Sequence, residues 1–362
     1  MKFTIERDRL NNAVKKAGSV ISSRPTVSIM GHFLLDVQAN HLVITATGLD
    51  QMITLTLEAN VEQEGKATVS AKILSQLVQR LPNGDVSVSL DERGMVNVVC
   101  ARNSFSLQSL DPLQFPIEGR EESRREFMIS TSQLCGNIAK CSYAVSTEEA
   151  KAPMTGLLLT ITDGTFTTVA TDGRRMALVE TVIGSDSSLD SDSILPLKAA
   201  QELPKVLEGS SDVKVSLGDT HAVFSTDDVV FQTKLLEGNF PNYRMVMPPG
   251  FENHVTMPRD DFYSALDRVS QILDKNPAVK LSLTPTEVLI SAMNNAEVAE
   301  SPIPASYEGE NLDLSFNASF LIDPLRHLEC NKLTLRFNDR LSPTGLYGDE
   351  GFLYVIMPLR HN

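Results

Sequence analysis

The stretch of this chain that comes nearest to a chemical motif is Ala170-Thr171-Asp172-Gly173-Arg174-Arg175-Met176. A carboxylate beside two guanidinium groups could serve as an acid or base, or help to hold a metal. An Asp-Gly pair between a Thr-rich run and an apolar one equally suits a tight turn. Acid–base hydrolysis wants a second carboxylate within reach, and none stands nearby in sequence, so a turn-stabilising role for Asp172 is favoured over a catalytic one. The six His are scattered. Cys100, Cys135, Cys141 and Cys330 form no CxxC and have no His pair beside them, so they are expected to be buried thiols rather than metal ligands. Gly-rich phosphate loops, HExxH helices and GxSxG elbows are absent from the sequence. The expectation is a non-catalytic protein with no cofactor and no metal.

Two other segments carry more apolar surface than a connector or a chain end needs. One is Glu237-Gly238-Asn239-Phe240-Pro241-Asn242-Tyr243-Arg244-Met245-Val246-Met247-Pro248, and the other is Tyr354-Val355-Ile356-Met357-Pro358-Leu359-Arg360. Termini are usually polar and frayed, so an apolar one is expected to complete a sheet or line a groove. Flexible Met side chains suit grooves that accept varied partners.

The elements that must position these segments repeat three times at a spacing of roughly 125 residues. Each unit opens with a short strand running into an amphipathic helix: FTIERDRLNNAVKKAGSVI from Phe3, FMISTSQLCGNIAKCSYAV from Phe127 and HVTMPRDDFYSALDRVSQIL from His254. Arg7-Asp8, Ser130-Thr131 and Arg259-Asp260 stand at the helix starts, where Ser and Asp suit capping. A second helix follows in VSAKILSQLVQRLP from Val69, LPLKAAQELPKVLEG from Leu195 and FNASFLIDPLRHLE from Phe316. Each is trailed by an alternating strand, VSVSL from Val86, VKVSL from Val213 or LTLRF from Leu333. The predicted fold class is therefore α+β in three tandem copies, 1–120, 127–244 and 245–362, linked near residues 120 and 245. Three unrelated α+β domains are the weaker alternative. At 362 residues each copy is long enough to bury a core.

Net charge is -14, which argues against nucleic acid unless the charge is segregated. It is segregated. Arg7 to Ile21 carries about +3 and the six helical stretches about +4 together, leaving about -18 elsewhere. Helices facing one side would give an acidic protein a basic surface, ordinary solvated helix faces being the alternative.

Taken together, the triplication, TDGRRMAL, EGNFPNYRMVMP and the terminal YVIMPLR resemble the β subunit of bacterial DNA polymerase III, the sliding-clamp family, over the whole chain. That resemblance implies a head-to-tail homodimer ring of DNA-clamp domains, with helices lining the inside, antiparallel sheets outside and double-stranded DNA in the hole. It implies sequence-independent backbone contacts from Arg24, Lys72, Arg80, Lys140, Lys151 and Lys198. Ala152 and Pro153 stand where relatives can carry aromatics, which weakens the expectation of close DNA contact by that loop.

It also implies an apolar cleft for a short linear motif. The positions are Met154, Thr171, Gly173, Arg174, Arg175, Met176, Pro241, Met245, Val246, Asn317, Phe320, Leu341, Pro343, Val355, Ile356, Met357, Pro358, Leu359 and Arg360. Arg174 stands where His is common, Met245 where a basic residue is frequent and Phe320 where Tyr is frequent, so a somewhat more apolar cleft is expected.

The implied cleft partners are the replicative polymerase catalytic subunit, the clamp loader, and repair polymerases and mismatch-repair factors carrying a clamp-binding motif. Ring closure by strand addition is implied for Arg102, Phe105 and Leu107 on one side and Ile272 and Leu273 on the other, the last two being equally suited to the core at their own helix end.

The charges of MKFTIERDRL lead into no apolar run, and no stretch nears the roughly 20 residues of a membrane span. A cytoplasmic protein, nucleoid-associated at replication forks and with no membrane partner, is expected. A hydrolase built on Asp172 and a β-rich scaffold without DNA are the alternative readings.

Overall fold

The computed structural model describes every residue except 118, 120–124, 185–188, 248–249, 274–276, 295–296 and 361–362, and the side chains of 189–191. Parts of both expected linkers, 118 with 120–124 and 248–249, thus lie outside the described residues.

Six α-helices occupy the described residues, two per repeat: α1 (Arg7–Gly18), α2 (Ala71–Val78), α3 (Thr131–Ser142), α4 (Leu197–Val206), α5 (Arg259–Ser270) and α6 (Ala318–Leu325). Their apolar positions fall on one stripe, for example Leu10, Ala13, Val14 and Ala17 in α1 and Phe262, Ala265, Leu266 and Val269 in α5, all buried. Side-chain capping at the start of α1 and α5 is not what the structure shows. Glu6 and Pro258 occupy the cap positions without a side-chain hydrogen bond, and Asp8 and Asp260 lie inside the first turn. A loop carbonyl takes over instead. Arg7 N donates to Gly84 O (3.0 Å), Thr131 N to Ser211 O (2.8 Å) and Arg259 N to Asn331 O (3.0 Å), the same bond in each repeat.

The strands form four antiparallel sheets. The first runs β5 (Asn60–Gln63), β1 (Lys2–Glu6), β7 (Asp85–Leu90), β8 (Met95–Cys100), β9 (Asn103–Gln108). The second runs β10 (Arg125–Ser130), β15 (Asp212–Leu217), β16 (His221–Ser225), β17 (Val229–Lys234), β4 (Gln51–Glu58), β3 (His41–Thr47), β2 (His32–Gln38), β6 (Gly65–Ser70). The third runs β14 (Leu189–Pro196), β11 (Gly156–Thr162), β12 (Thr165–Thr171), β13 (Arg175–Val182), β26 (Phe352–Ile356), β25 (Thr344–Tyr347), β24 (Lys332–Phe337), β18 (Asn253–Pro258), β22 (Ser306–Tyr307). The fourth runs β21 (Val298–Pro304), β20 (Glu287–Met293), β19 (Ala278–Leu283), β23 (Leu312–Asn317).

The repeats can be superposed by register alone. The strand before the first helix pairs with the strand after the second in each copy, with Phe3 opposite Val88, Phe127 opposite Val215 and Val255 opposite Leu335. Following the ladders outward makes Phe105, Phe231 and Tyr354 equivalent. The same tracing from the strands that lead into α2, α4 and α6 makes Ile53, Ala177 and Ala299 equivalent.

Two compact units result, Met1–Ser132 with Lys198–Leu235, and Gln133–Leu197 with Leu236–Asn362. The middle repeat contributes to both, because sheet pairing crosses from repeat to repeat. In the first unit β17 of the middle repeat adds to β4, with Phe231 opposite Ile53. In the second, β26 of the last repeat adds to β13, with Tyr354 opposite Ala177. The first unit's core includes Phe3, Phe33, Phe224 and Phe231, and the second's Phe166, Phe262, Phe316 and Tyr354, all fully buried. Cys100 and Cys141 are buried thiols, whereas Cys135 and Cys330, expected to be buried, keep partial exposure. Among the described residues no helix is long and apolar enough to cross a membrane.

Candidate functional site

The Asp172 turn joins β12 to β13 and sits within the second unit. Asp172 Oδ1 accepts from the backbone N–H of Arg174 (2.8 Å) and Arg175 (3.1 Å), and Oδ2 from Arg175 Nε (3.1 Å). Thr171 Oγ1 donates to Arg175 O (2.7 Å) and accepts from Gly173 N (3.1 Å). Gly173 has φ +89°, a conformation that favours glycine. Both carboxylate oxygens of Asp172 thus help to shape the turn, and among the described residues no group of three His, Cys, Asp or Glu could hold a metal.

Arg175 is a hub. Besides Asp172 it donates to Asp323 Oδ2 on α6 (2.6 Å) and to Tyr143 O just beyond α3 (2.6 Å), and its guanidinium lies 4.4 Å from the Phe320 ring centre. Burial alone would lower its pKa, but Tyr354 and Asp323 outweigh that and push it up, so the guanidinium stays charged. Tyr354 is fully buried, donates to Phe320 O (2.9 Å), and has its phenol pushed far up by burial. Asn317 caps α6, accepting from Ser319 N (3.0 Å). Phe320 is thereby held against Arg175 of the β12–β13 turn.

Beside this frame some of the expected cleft residues meet. Met176 opposite Val355 forms a buried floor with Leu158, Val169, Phe240 and Tyr243. Beyond β26 the chain continues along the turn, Met357 N donating to Arg174 O (3.0 Å) and Leu359 N to Ser315 O (2.7 Å). Exposed apolar side chains follow the floor residues along the chain, Met245, 81% exposed, and Val246 after Tyr243, and Met357 and Leu359 after Val355, while Leu341 is exposed between β24 and β25. These apolar groups thus belong to the surface and not to the core.

Met154 approaches Gly173, Pro241 leads into the 3-10 turn Tyr243–Val246, and Pro343 precedes β25. Arg174, Pro358 and Arg360 remain at least partly exposed, whereas Ile356, opposite Arg175, is fully buried and supports the site from within. Asp323 and Tyr143 were not singled out from sequence, and Tyr354 was named only as the first residue of the apolar terminal segment, not in the cleft. The signal for Tyr143 and Asp323 is weak, because one polar residue near a helix end does not announce a distant arginine.

The other expected residues are distributed as follows. Arg24, Lys72, Arg80 and Lys198 are exposed, and Arg80 Nη1 donates to Gln76 O (2.8 Å). Lys151 pairs with Glu148 (3.0 Å) and Lys140 with Asp349 (2.6 Å). Arg102, Phe105 and Leu107 lie on or beside β9, an edge strand, and a groove of about 410 Å³ beside it is lined by Ile73, Leu77, Leu81, Arg80 and Asn103. Ile272 and Leu273 follow α5 with partial exposure. Sequence reasoning missed β21, the edge of the fourth sheet, whose first residue Val298 is exposed, as is its β20 partner Met293.

Three family models match in succession: the N-terminal domain of the DNA polymerase III beta subunit over residues 1–118, its central domain over 128–242 and its C-terminal domain over 244–360. A protein of Chlamydia muridarum named Beta sliding clamp is 30% identical over 363 residues, covering 99% of each chain. Among solved structures, the DNA polymerase III subunit beta sliding clamp of Pseudomonas aeruginosa bound to griselimycin has TM-score 0.96 and 28% identity, and that of Bartonella birtlesii bound to griselimycin has 0.91 and 31%, each covering 100% of both chains.

Proposed function

The chain belongs to the DNA polymerase III beta subunit family, and from that membership we propose that it is a non-catalytic processivity factor that closes around duplex DNA and tethers the replicative polymerase. The three clamp domains are taken as 1–120, 127–244 and 245–362.

One observation carries the ring. Inside the chain the outer hairpin strand of a repeat adds to the preceding repeat twice, β17 to β4 and β26 to β13. The same operation leaves β9 of the first repeat and β21 of the last as open edges. Phe231 and Tyr354 are 0% exposed at their seams, while their equivalent Phe105 is 38% exposed. A second copy, head to tail, supplies what is missing: β21 against β9, with Phe105 opposite Ala299 by the register of the inner seams. The groove beside Phe105 then receives Ile272 and Leu273. Two copies of three repeats close the ring as a homodimer.

With DNA held topologically, contacts need only be weak and phosphate-directed, and Arg24, Lys72, Arg80, Lys151 and Lys198 are assigned to them, Lys140 sharing its charge with Asp349. The groove over Met176 and Val355 takes a short apolar segment of its partners: polymerase, clamp loader, and repair polymerases and mismatch-repair factors carrying a clamp-binding motif. Griselimycin-bound relatives support a ligand surface on this fold. The site of action is the cytoplasm, at replication forks on the nucleoid.

The test is retention on DNA after loading. Rings are expected to stay on closed circles and to run off linear molecules. Equal retention on both would overturn the topological reading.

A further inference from the structure

The first seam, where β17 adds to β4, is built on the plan of the second, where β26 adds to β13. The ladders make Gln232 the counterpart of Val355 and Met52 that of Met176, and the members of each pair stand opposite one another across their seam. Further along the same face, Leu34, Thr45 and Thr54 follow one another across the strands as Leu158, Val169 and Leu178 do. The turns match as well. Lys234 N donates to Asp50 O (2.8 Å) as Met357 N does to Arg174 O (3.0 Å), and Gly48 N to Gln51 O (2.7 Å) as Asp172 N does to Arg175 O (3.3 Å). Phe115 clusters with Leu34 as Phe240 does with Leu158.

What differs is the chemistry of the face. Val169, Leu178 and Val355 of the second seam are replaced in the first by Thr45, Thr54 and Gln232. Gln232 is 2% exposed, and neither its Nε2 nor its Oε1 has a hydrogen-bond partner among the described residues. A buried carboxamide left unpaired costs its full desolvation, which the Val of the second seam avoids. Both faces are closed in the free chain, Met52 being 8% exposed and Met176 2%. Opening either needs a side chain to swing aside, and unbranched Met is suited to that.

We propose that the first seam is a second docking site, for an extended peptide segment that sets a carboxamide side chain, Asn or Gln, against Gln232 and a large apolar residue beside it on Met52. A carboxamide carries both an acceptor and donors, so it answers the two orphaned atoms of Gln232 together. An apolar side chain answers neither, and a carboxylate cannot donate. Leu49, on the turn three residues before Met52, is 62% exposed and adds apolar surface next to the site. All of these groups lie in the first unit, so the site stands or falls independently of the cleft in the second.

The test is methyl NMR of the full-length protein with labelled Met methyl groups, titrated with acetyl-Leu-Gln-Leu-N-methylamide and with the same peptide carrying Met or Glu in place of Gln. Met52 reports the first seam and Met176 the cleft. Met52 is expected to respond to the Gln peptide with about tenfold higher affinity than to either of the others. Gln232→Val should remove that preference and leave the Met176 response unchanged. Equal affinities of the three peptides at Met52, or a preference that survives Gln232→Val, would overturn the proposal. The peptide comparison on the unsubstituted chain decides the matter even where Gln232→Val fails to fold. A response confined to Met176 would overturn the second site and leave the cleft reading intact, whereas one confined to Met52 would support the site and count against that reading.

Discussion

Phe105→Ala removes from each seam of the ring the aromatic side chain whose equivalents, Phe231 and Tyr354, are fully buried within the chain. Phe105 is 38% exposed in the single chain. For a side chain of about 200 Å², roughly 75 Å² is then left to be buried when a second copy adds. At about 25 cal/mol per Å² that area is worth about 2 kcal/mol per seam. Dissociation into single chains breaks two seams, so the loss is about 4 kcal/mol, or roughly a thousandfold in the dissociation constant. The assay is sedimentation or single-particle mass measured across a dilution series. Phe231→Ala is the control, since it should cost about 3–5 kcal/mol of chain stability. A dimer dissociation constant within threefold of the parent would refute the assignment of β9 to the interface. So would a fall in melting temperature for Phe105→Ala as large as that for Phe231→Ala.

Deleting residues 357–362 should abolish binding of a polymerase-derived peptide by fluorescence anisotropy while the dimer persists, because Met357 and Leu359 tie the terminal segment to Arg174 and Ser315. Met245→Ala and Leu341→Ala remove exposed apolar rim groups and should each weaken that peptide about tenfold, with the melting temperature within a degree or two of the parent. Gly173→Ala should lower stability by about 1 kcal/mol through its positive φ rather than through crowding, since the nearest atom to an added Cβ is Met154 Cε at 3.6 Å; calorimetry reads it. Burial would raise the pKa of Asp349, but Lys140 and the N–H groups of Glu329 and Cys330 hold it below the usual carboxylate range. A depressed carboxylate pKa stabilises the fold at neutral pH and loses that contribution as pH falls through the folded-state value. The stability gap between the parent and Asp349→Asn should therefore close as pH drops below about 4, and a gap unchanged at pH 2 would contradict the ion pair.

The repetition was legible because hydrophobic period is local: 3.6-residue stripes such as Leu10-Val14-Ala17 and alternating runs such as VKVSL declare helix and strand wherever they occur. The role of Asp172 as a turn former was readable for the same reason, its partners Arg174 and Arg175 being two and three residues away. The caps were misjudged because the acceptors for the first N–H of α1 and α5, Gly84 and Asn331, lie more than seventy residues downstream. Arg175 meets Asp323 across 148 residues, and Lys140 meets Asp349 across a longer span, so neither pair leaves a periodic trace. Sequence alone therefore determined the three copies, their elements and the absence of a catalytic constellation. Tertiary structure decided which strand edges join, which cations are engaged, and that β9 and β21 remain open. Edge pairing depends on backbone hydrogen bonds that every residue type can make, and it is chosen by the geometry of the whole sheet.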